Sequence, residues 1–408
     1  MLRLGTAFGI ALTSFGCADQ ALLRPELDID DPSRMAHVAA GEGHSCGVAG
    51  IGSGAGPVLL VPAGPVYCWG RNERGQLGDP GTGPIAPVTQ PLRVQTEIHF
   101  SRLALGAQYT CGIAEDFQAH CWGQVGPSGS VMPVPALVSD ALRFQLIDGG
   151  ASHVCALTDT NELYCWGEND QGQLGQDNFD DQADPVRVPN LLVKTFAAGG
   201  DHTCAVSIEG TTYCWGDNQF GQLGLSPAAA GRVPTPTAVA GVPVFSLLTA
   251  GARHTCALTT QIRTGGKPAY CWGSNEDGQL GRQSALLIDP NPTEVSEDFA
   301  FRAISAGANH TCGVVHNVEF TESQAPNNLG YCWGRNDRGQ IGSGALGPQI
   351  FAPDSVLIPG ELQGISAGRE HTCALSGSAA FCWGGNDYGQ LGNGTTRASF
   401  VPRRVSAQ

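Results

Sequence analysis

Positive charge is scarce in this chain. Lysine and arginine number 22 against 37 aspartates and glutamates, a formal net charge of −15. That balance repels a polyanion at long range, and no basic cluster with interleaved aromatics offsets it, so no nucleic-acid partner is expected. Long apolar runs are missing too: beyond Cys17 nothing reaches membrane-spanning length. Charged residues amount to only 14%, which excludes a disordered acidic chain and leaves ample material for a core. Helical periodicity is absent. So are the G-x-S-x-G elbow, H-E-x-x-H, a calcium loop, the sialidase-type Asp box and paired-carboxylate spacing. The G-x-x-x-x-G fragments lack the Lys-Ser/Thr of a phosphate loop, and their glycines read as turn residues. We therefore expect no catalytic residue, no cofactor and no metal.

What the chain has instead is repetition. Glycine (57), proline (26) and cysteine (15) are abundant, as many turns and few helices require. Seven times, with small variations, it reads G-x-x-H-T-C-A-L, a variable stretch, then Y-C-W-G-x-N-x-x-G-Q-L-G. All seven tryptophans (Trp69, Trp122, Trp166, Trp215, Trp272, Trp333 and Trp383) stand at one place in that pattern. Their spacing of 44 to 61 residues is too long for a single-turn solenoid and suits a four-stranded propeller blade. H-T-C-A-L and Y-C-W are short, β-branched or aromatic and bounded by glycine, hence strands. The pattern predicts an all-β fold: a closed seven-bladed β-propeller with four-stranded blades. Residues 1–17 read as an export signal and 18–35 as a tether. Residues 36–408 form the propeller, with blades at about 36–100, 101–147, 148–193, 194–246, 247–301, 302–361 and 362–408. The P-x-x-V at Pro402–Val405 matches the segment preceding each G-x-x-H strand, as at Pro185–Val188, and the first unit begins directly at that strand with Ala36-His37-Val38. The C-terminal segment is therefore expected to pair near the N-terminal one and hide both edges.

The pattern resembles the regulator of chromosome condensation repeat, over roughly residues 36–408. The resemblance implies seven blades. The family's eukaryotic namesake works on chromatin and a small nuclear GTPase, a role that the acidic charge, the export signal and the paired cysteines together disfavour here. Some secreted bacterial propellers resembling the family inhibit β-lactamases through loops on one face; none of their contact residues can be carried over. Blade two departs from the pattern: Cys121-Trp122-Gly123 runs into Gln124-Val125-Gly126 without G-Q-L-G, and Tyr109 stands where histidine is expected.

Fourteen cysteines fall into the repeat as seven pairs. They are Cys46 with Cys68, Cys111 with Cys121, Cys155 with Cys165, Cys204 with Cys214, Cys256 with Cys271, Cys312 with Cys332 and Cys373 with Cys382. If Cys373 faces Cys382, Gly377-Ser378 is left as a two-residue loop. If Cys204 faces Cys214, the loop is Ile208-Glu209-Gly210, with glycine last. Directly opposed antiparallel residues lie within disulfide reach, so one disulfide per blade is expected. Zinc is the rival, since His153 and Cys155 share a strand face with Cys165. Seven identical metal sites would be unusual, Tyr109 breaks the set, and paired cysteines fit an oxidising compartment.

Cys17 lies apart. Met1-Leu2-Arg3 followed by a short apolar run to Gly16 describes an export signal. Gly16 before Cys17 resembles a bacterial lipoprotein box, although Ser14-Phe15 is imperfect for it. Cys17 is the expected lipidation site; an ordinary cleaved signal or a lone thiol is the alternative. The only membrane contact expected is that anchor, on the outer membrane or cell surface, and otherwise the protein is periplasmic or secreted.

His44, His153, His202, His254, His310 and His371 recur in the repeat. A catalytic residue is needed once, so these read as structural, as do Asn72, Asn169, Asn218, Asn275, Asn336 and Asn386 at the turn. Recognition belongs where the repeats differ. Three hairpins are lengthened: Gly50–Pro65, Thr259–Pro268 and His316–Gly330. They fall on one arc of the ring and offer Val58, Leu59, Leu60, Arg263, Lys267, Glu319, Phe320 and Glu322 as candidate binding residues. The reading is a monomeric, exported, envelope-tethered propeller that binds a protein partner. A nucleotide-exchange or signalling regulator and an envelope hydrolase or lyase are the alternatives.

Overall fold

A computed structural model describes residues 31–50, 63–81, 86–126, 130–227, 231–263, 266–316 and 328–406. Among these residues every regular element is a strand. The strands form five four-stranded sheets and one seven-stranded sheet, all antiparallel between sequence neighbours. Blade one shows the plan: Met35–Ala40 is innermost, followed outward by His44–Ala49, Val66–Gly70 and Val88–Arg93. The seven-stranded sheet is two blades joined by one strand, Gln182–Ala198. Its first half is the outer edge of blade three, and its second half is the inner strand of blade four.

The inner strands begin at Met35, Phe100, Phe144, Phe245 and Phe301, one to four residues before the divisions expected from the repeat. The reason is packing. Each inner strand opens on a fully buried apolar side chain, with Val193 and Leu362 completing the set. A bulge follows each in the pairing with the second strand.

Closure differs from the expectation. The last strand, Ser399–Arg404, pairs with Ala379–Gly384 inside blade seven, so the two chain ends share no sheet. Blade one instead packs face to face on blade seven, with Met35 and Val405 in one apolar cluster and the Met35 N–H donating to the Ser378 carbonyl at 2.8 Å. Outer edges stay open and are blunted locally. The valine of each P-x-x-V donates inward to its neighbouring strand, as Val295 does to Ala269 and Val405 to Ala380. Alternation then turns the proline three residues earlier outward, where a donor is missing.

Cysteines face one another in all seven second-to-third-strand pairs. In the blades with lengthened hairpins, Cys46 bonds to Cys68, Cys256 to Cys271 and Cys312 to Cys332. In the others, Cys111 bonds to Cys121, Cys155 to Cys165, Cys204 to Cys214 and Cys373 to Cys382. The seven S–S distances are 2.03–2.12 Å, and the joined Cα atoms stand 4.0–4.1 Å apart. Hairpin length therefore changes what lies between the cysteines and leaves their register alone. Ser376 pairs with Ala379 around Gly377-Ser378, and the Ser207 N–H donates to the Thr211 carbonyl around Ile208-Glu209-Gly210. Gly377 and Gly210 take the left-handed φ values these loops demand, 62° and 92°.

Seven apolar clusters fill the seven blade interfaces. Each sets the disulfide of one blade against the tryptophan of the next. Indole N–H groups donate across five of these interfaces to a glutamine backbone carbonyl at 2.9 Å, Trp69 to Gln390 closing the ring. The histidines add a relay. His153 Nε2 meets Thr203 Oγ1 of the next blade at 2.9 Å, and that hydroxyl donates to the Gln173 carbonyl at 2.9 Å. His202, His254 and His310 repeat this with Thr255, Thr311 and Thr372, His44 with Thr110, and His371 closes the circle on Ser45. Because the hydroxyl proton is spent on the carbonyl, Nε2 carries the imidazole hydrogen. This engagement and the S–S bonds dispose of the zinc alternative. Blade two is different: Tyr109 Oη reaches the carbonyls of Gly150 (2.9 Å) and His153 (2.6 Å), and Val154 stands where the receiving hydroxyl would be.

Candidate binding face

The G-x-x-H turn and the W-G-x-N turn of each blade emerge at the same end of the ring. Within each turn the asparagine holds the G-Q-L-G loop: Asn169 Oδ1 accepts from the Leu174 N–H at 2.9 Å, and the other five asparagines do the same. The residue after W-G donates its N–H to the carbonyl of the residue before the histidine (before Tyr109 in blade two) in all seven blades, at 2.7–3.0 Å. These paired positions vary almost completely in a molecule that otherwise repeats itself. Blades one to three read Gly43 with Arg71, Gln108 with Gln124 and Ser152 with Glu168. Blades four to seven read Asp201 with Asp217, Arg253 with Ser274, Asn309 with Arg335 and Glu370 with Gly385.

Inside this ring of pairs lies a second one made of backbone alone. N–H groups of Glu42, Ala107, Ala151, Gly200, Ala252, Ala308 and Arg369 each donate to a carbonyl of the following blade, at 2.9–3.4 Å. This annulus frames the mouth of a central channel of about 290 Å³ walled by the inner strands. Its wall is mostly alanine and glycine. Polar exceptions bind the next blade's backbone: Thr249 accepts from Ala306, Ser305 from Ala367, Ser366 from Ala40 and Asp148 from Ala198, at 2.9–3.0 Å. Burial raises the Asp148 carboxyl to about 6, against the two backbone N–H groups that hold its charge.

Above the annulus the mouth widens into a funnel of about 590 Å³ with two unlike sides. Blades three and four supply acids. Desolvation, with Glu168, Asp217 and Asp170 close by, pushes the Asp201 carboxyl up to about 6. Arginines gather on the other side, beside Glu42 and Glu370: Arg253 stacks on Phe220 at 4.4 Å, Arg335 pairs with Asp337 at 2.6 Å and Arg369 with Glu42 at 2.8 Å. Arg71 lies over Tyr388 at 5.0 Å and pairs with Glu73. Such a surface can complement a partner that brings both signs of charge. Among the described residues no group of three or more His, Cys, Asp or Glu side chains is arranged to hold a metal.

The candidates on the lengthened hairpins fare differently. Arg263 forms an ion pair with Glu294, and Lys267 Nζ donates to Ser246 Oγ at 2.9 Å, so both are tied into the propeller. Val58, Leu59, Leu60, Glu319, Phe320 and Glu322 lie outside the described residues, as does Cys17. Sequence reasoning passes over the funnel pairs. Their only signal is variability flanked by invariance, at the x positions of G-x-x-H and W-G-x-N.

A profile for the "RCC1-like domain" matches residues 11–345, and one for the "Regulator of chromosome condensation (RCC1) repeat" matches 331–375 and 379–408. The human "Probable E3 ubiquitin-protein ligase HERC6" is 30% identical over 142 residues, 34% of this chain and 12% of that protein. The Arabidopsis thaliana "Ultraviolet-B receptor UVR8" is 28% identical over 147 residues, 35% of this chain and 30% of that one. The chain thus spans less than a third of the length of either relative. Among solved structures, Prp20p from Saccharomyces cerevisiae, described with its binding to Gsp1p and histones, superposes with a TM-score of 0.71 at 20% identity. That superposition covers 93% of this chain and 89% of that one. Human WBSCR16 gives 0.70 at 21%, covering 84% and 87%.

Proposed function

Because the chain belongs to the RCC1-like domain family, we propose that it is a binding propeller that holds a protein partner across its funnel face. One observation carries this reading. The repeated histidines, tryptophans, asparagines and cysteines are consumed by the ring, and the variable pairs at the funnel are what remains to distinguish one sector from another. Propellers of this fold are described in complex with Kap60 and in binding to Gsp1p and histones, which supports a protein as ligand. The net charge of −15 speaks against nucleic acid as the ligand. In our reading the protein is not an enzyme, acts as a monomer and takes no cofactor. It is exported and tethered to the envelope through a lipid on Cys17, where an oxidising compartment suits seven disulfides.

The test is crosslinking capture from the native envelope with quantitative mass spectrometry. We expect the double variants Asp201→Arg with Asp217→Arg, and Arg253→Glu with Arg335→Glu, each to lose at least about tenfold of the captured partner, as truncated charge pairs at interfaces do. Deletion of 317–327 should leave recovery unchanged. The reverse result would move the site to the lengthened hairpins at the other end of the ring. Labelling with a radioactive fatty acid checks the anchor: incorporation should vanish in Cys17→Ala.

A further inference from the structure

Seven disulfides of one sequence type should be equally inert, yet one is not sealed like the rest. Thirteen of the paired cysteines have 0% exposure; Cys121 has 9%. The cause lies in the repeat. In six blades the leucine or isoleucine of G-Q-L-G (Leu77, Leu174, Leu223, Leu280, Ile341, Leu391) is fully buried in the same cluster as its own blade's cysteine pair. Blade two has no such loop. Val125, only partly buried, takes its place over Cys111–Cys121.

Two further differences meet at this spot. The first cysteine of every other pair touches a hydroxyl of the next blade at 3.6–4.0 Å, whereas Cys111 packs in a cluster with Val154. The outer strand beside Cys121, Met132–Leu137, pairs with it at Ala136 and exposes Met132, Val134 and Leu137 to solvent. An apolar approach surface thus adjoins the one crosslink whose cysteines are not both wholly enclosed.

We propose that Cys111–Cys121 is the exchangeable disulfide of this propeller, a modification site for thiols and dithiols, with Cys121 Sγ the sulfur attacked. An incoming thiolate bonds to Cys121 Sγ and the S–S bond breaks, releasing Cys111 as a thiolate that takes up a proton. With a dithiol, the second thiol loses its proton and attacks its own sulfur in the mixed disulfide. Cys121 then leaves as a thiol, the dithiol is oxidised to a disulfide, and two electrons have entered blade two. Access governs such exchange as much as thiolate content. The crosslink opened lies at the one interface where Tyr109 replaces the histidine relay.

Differential alkylation tests the assignment. Folded wild-type protein is treated with dithiothreitol for increasing times, quenched with iodoacetamide and mapped by mass spectrometry. Cys111 and Cys121 should be labelled first, at least about tenfold faster than any other pair, since access sets the rate. Brief treatment with glutathione disulfide after partial reduction should place glutathione on Cys121. The same reduction in about 6 M guanidinium, where the chain is unfolded, should erase the lead. Another pair reacting first, all seven reacting together in the folded protein, or a lead that persists in denaturant would each overturn the proposal.

Discussion

At the scale of single residues, the fold depends on six imidazoles kept neutral. Burial depresses His44, His202, His254, His310 and His371 to about 3 and His153 to about 4. In the unfolded chain they take protons near 6.5. Below that pH the unfolded state binds more protons, so stability is full above 6.5 and falls as pH drops towards 4. Each histidine withdraws up to about 1.4 kcal/mol per pH unit. Asp148 and Asp201, raised to about 6, act in the opposite sense, but they are two against seven once His37, which burial lowers to about 4, is counted. Tryptophan fluorescence during acid titration of the oxidised protein should show cooperative unfolding above pH 4; a flat response from 7 to 4 would refute the assignment. Blade two offers a second residue-level test. Tyr109→His leaves Nε2 facing Val154 and should cost about 1–3 kcal/mol, an unpaired buried donor. Adding Val154→Thr should return at least half of it, a coupling that a double-mutant cycle in denaturant reads directly.

At the scale of strands, the outward prolines carry a testable burden. Replacing Pro135 with Thr restores a donor on the exposed apolar edge of blade two. Light scattering should then show concentration-dependent association that wild type lacks. Much of this level is legible in the sequence. Cysteine spacing alone implies the register, and Gly377-Ser378 and Ile208-Glu209-Gly210 imply their loops, because these are local constraints. The register holds equally where spacing says least, at Cys68, Cys271 and Cys332 beyond the long hairpins. The strand starts escape a sequence reading because their signal is one apolar residue, Phe144 or Met35, whose purpose is set by the neighbouring blade. The funnel pairs escape it for the same kind of reason: Asp201 and Asp217 are 16 residues apart and meet only once the hairpin is formed. Val154 gains meaning only opposite Tyr109.

At the scale of the whole molecule, each blade but the joined third and fourth has its own sheet, and the first and last strands lie at one interface. A circular permutant that joins the old ends by a flexible linker and opens at Gly241, an exposed turn, should keep its stability to within about 1 kcal/mol. Opening instead at Asn190 cuts the strand shared by blades three and four and should cost clearly more, as chemical unfolding of the two permutants would reveal.

The backbone annulus at the channel mouth has a consequence of its own. Peptide dipoles that follow one another around a circle have no first and no last member. The partial charges that gather at the two ends of a helix therefore have nowhere to collect. The collar is electrically silent along its axis, however strong its bonds. The sign of the mouth is then left to side chains, to Asp148 in the wall and to Glu42, Asp201, Asp217, Glu370, Arg253, Arg335 and Arg369 above it. Selection can rewrite that potential one residue at a time, reversing a sector's sign without loosening a single bond of the frame that presents it.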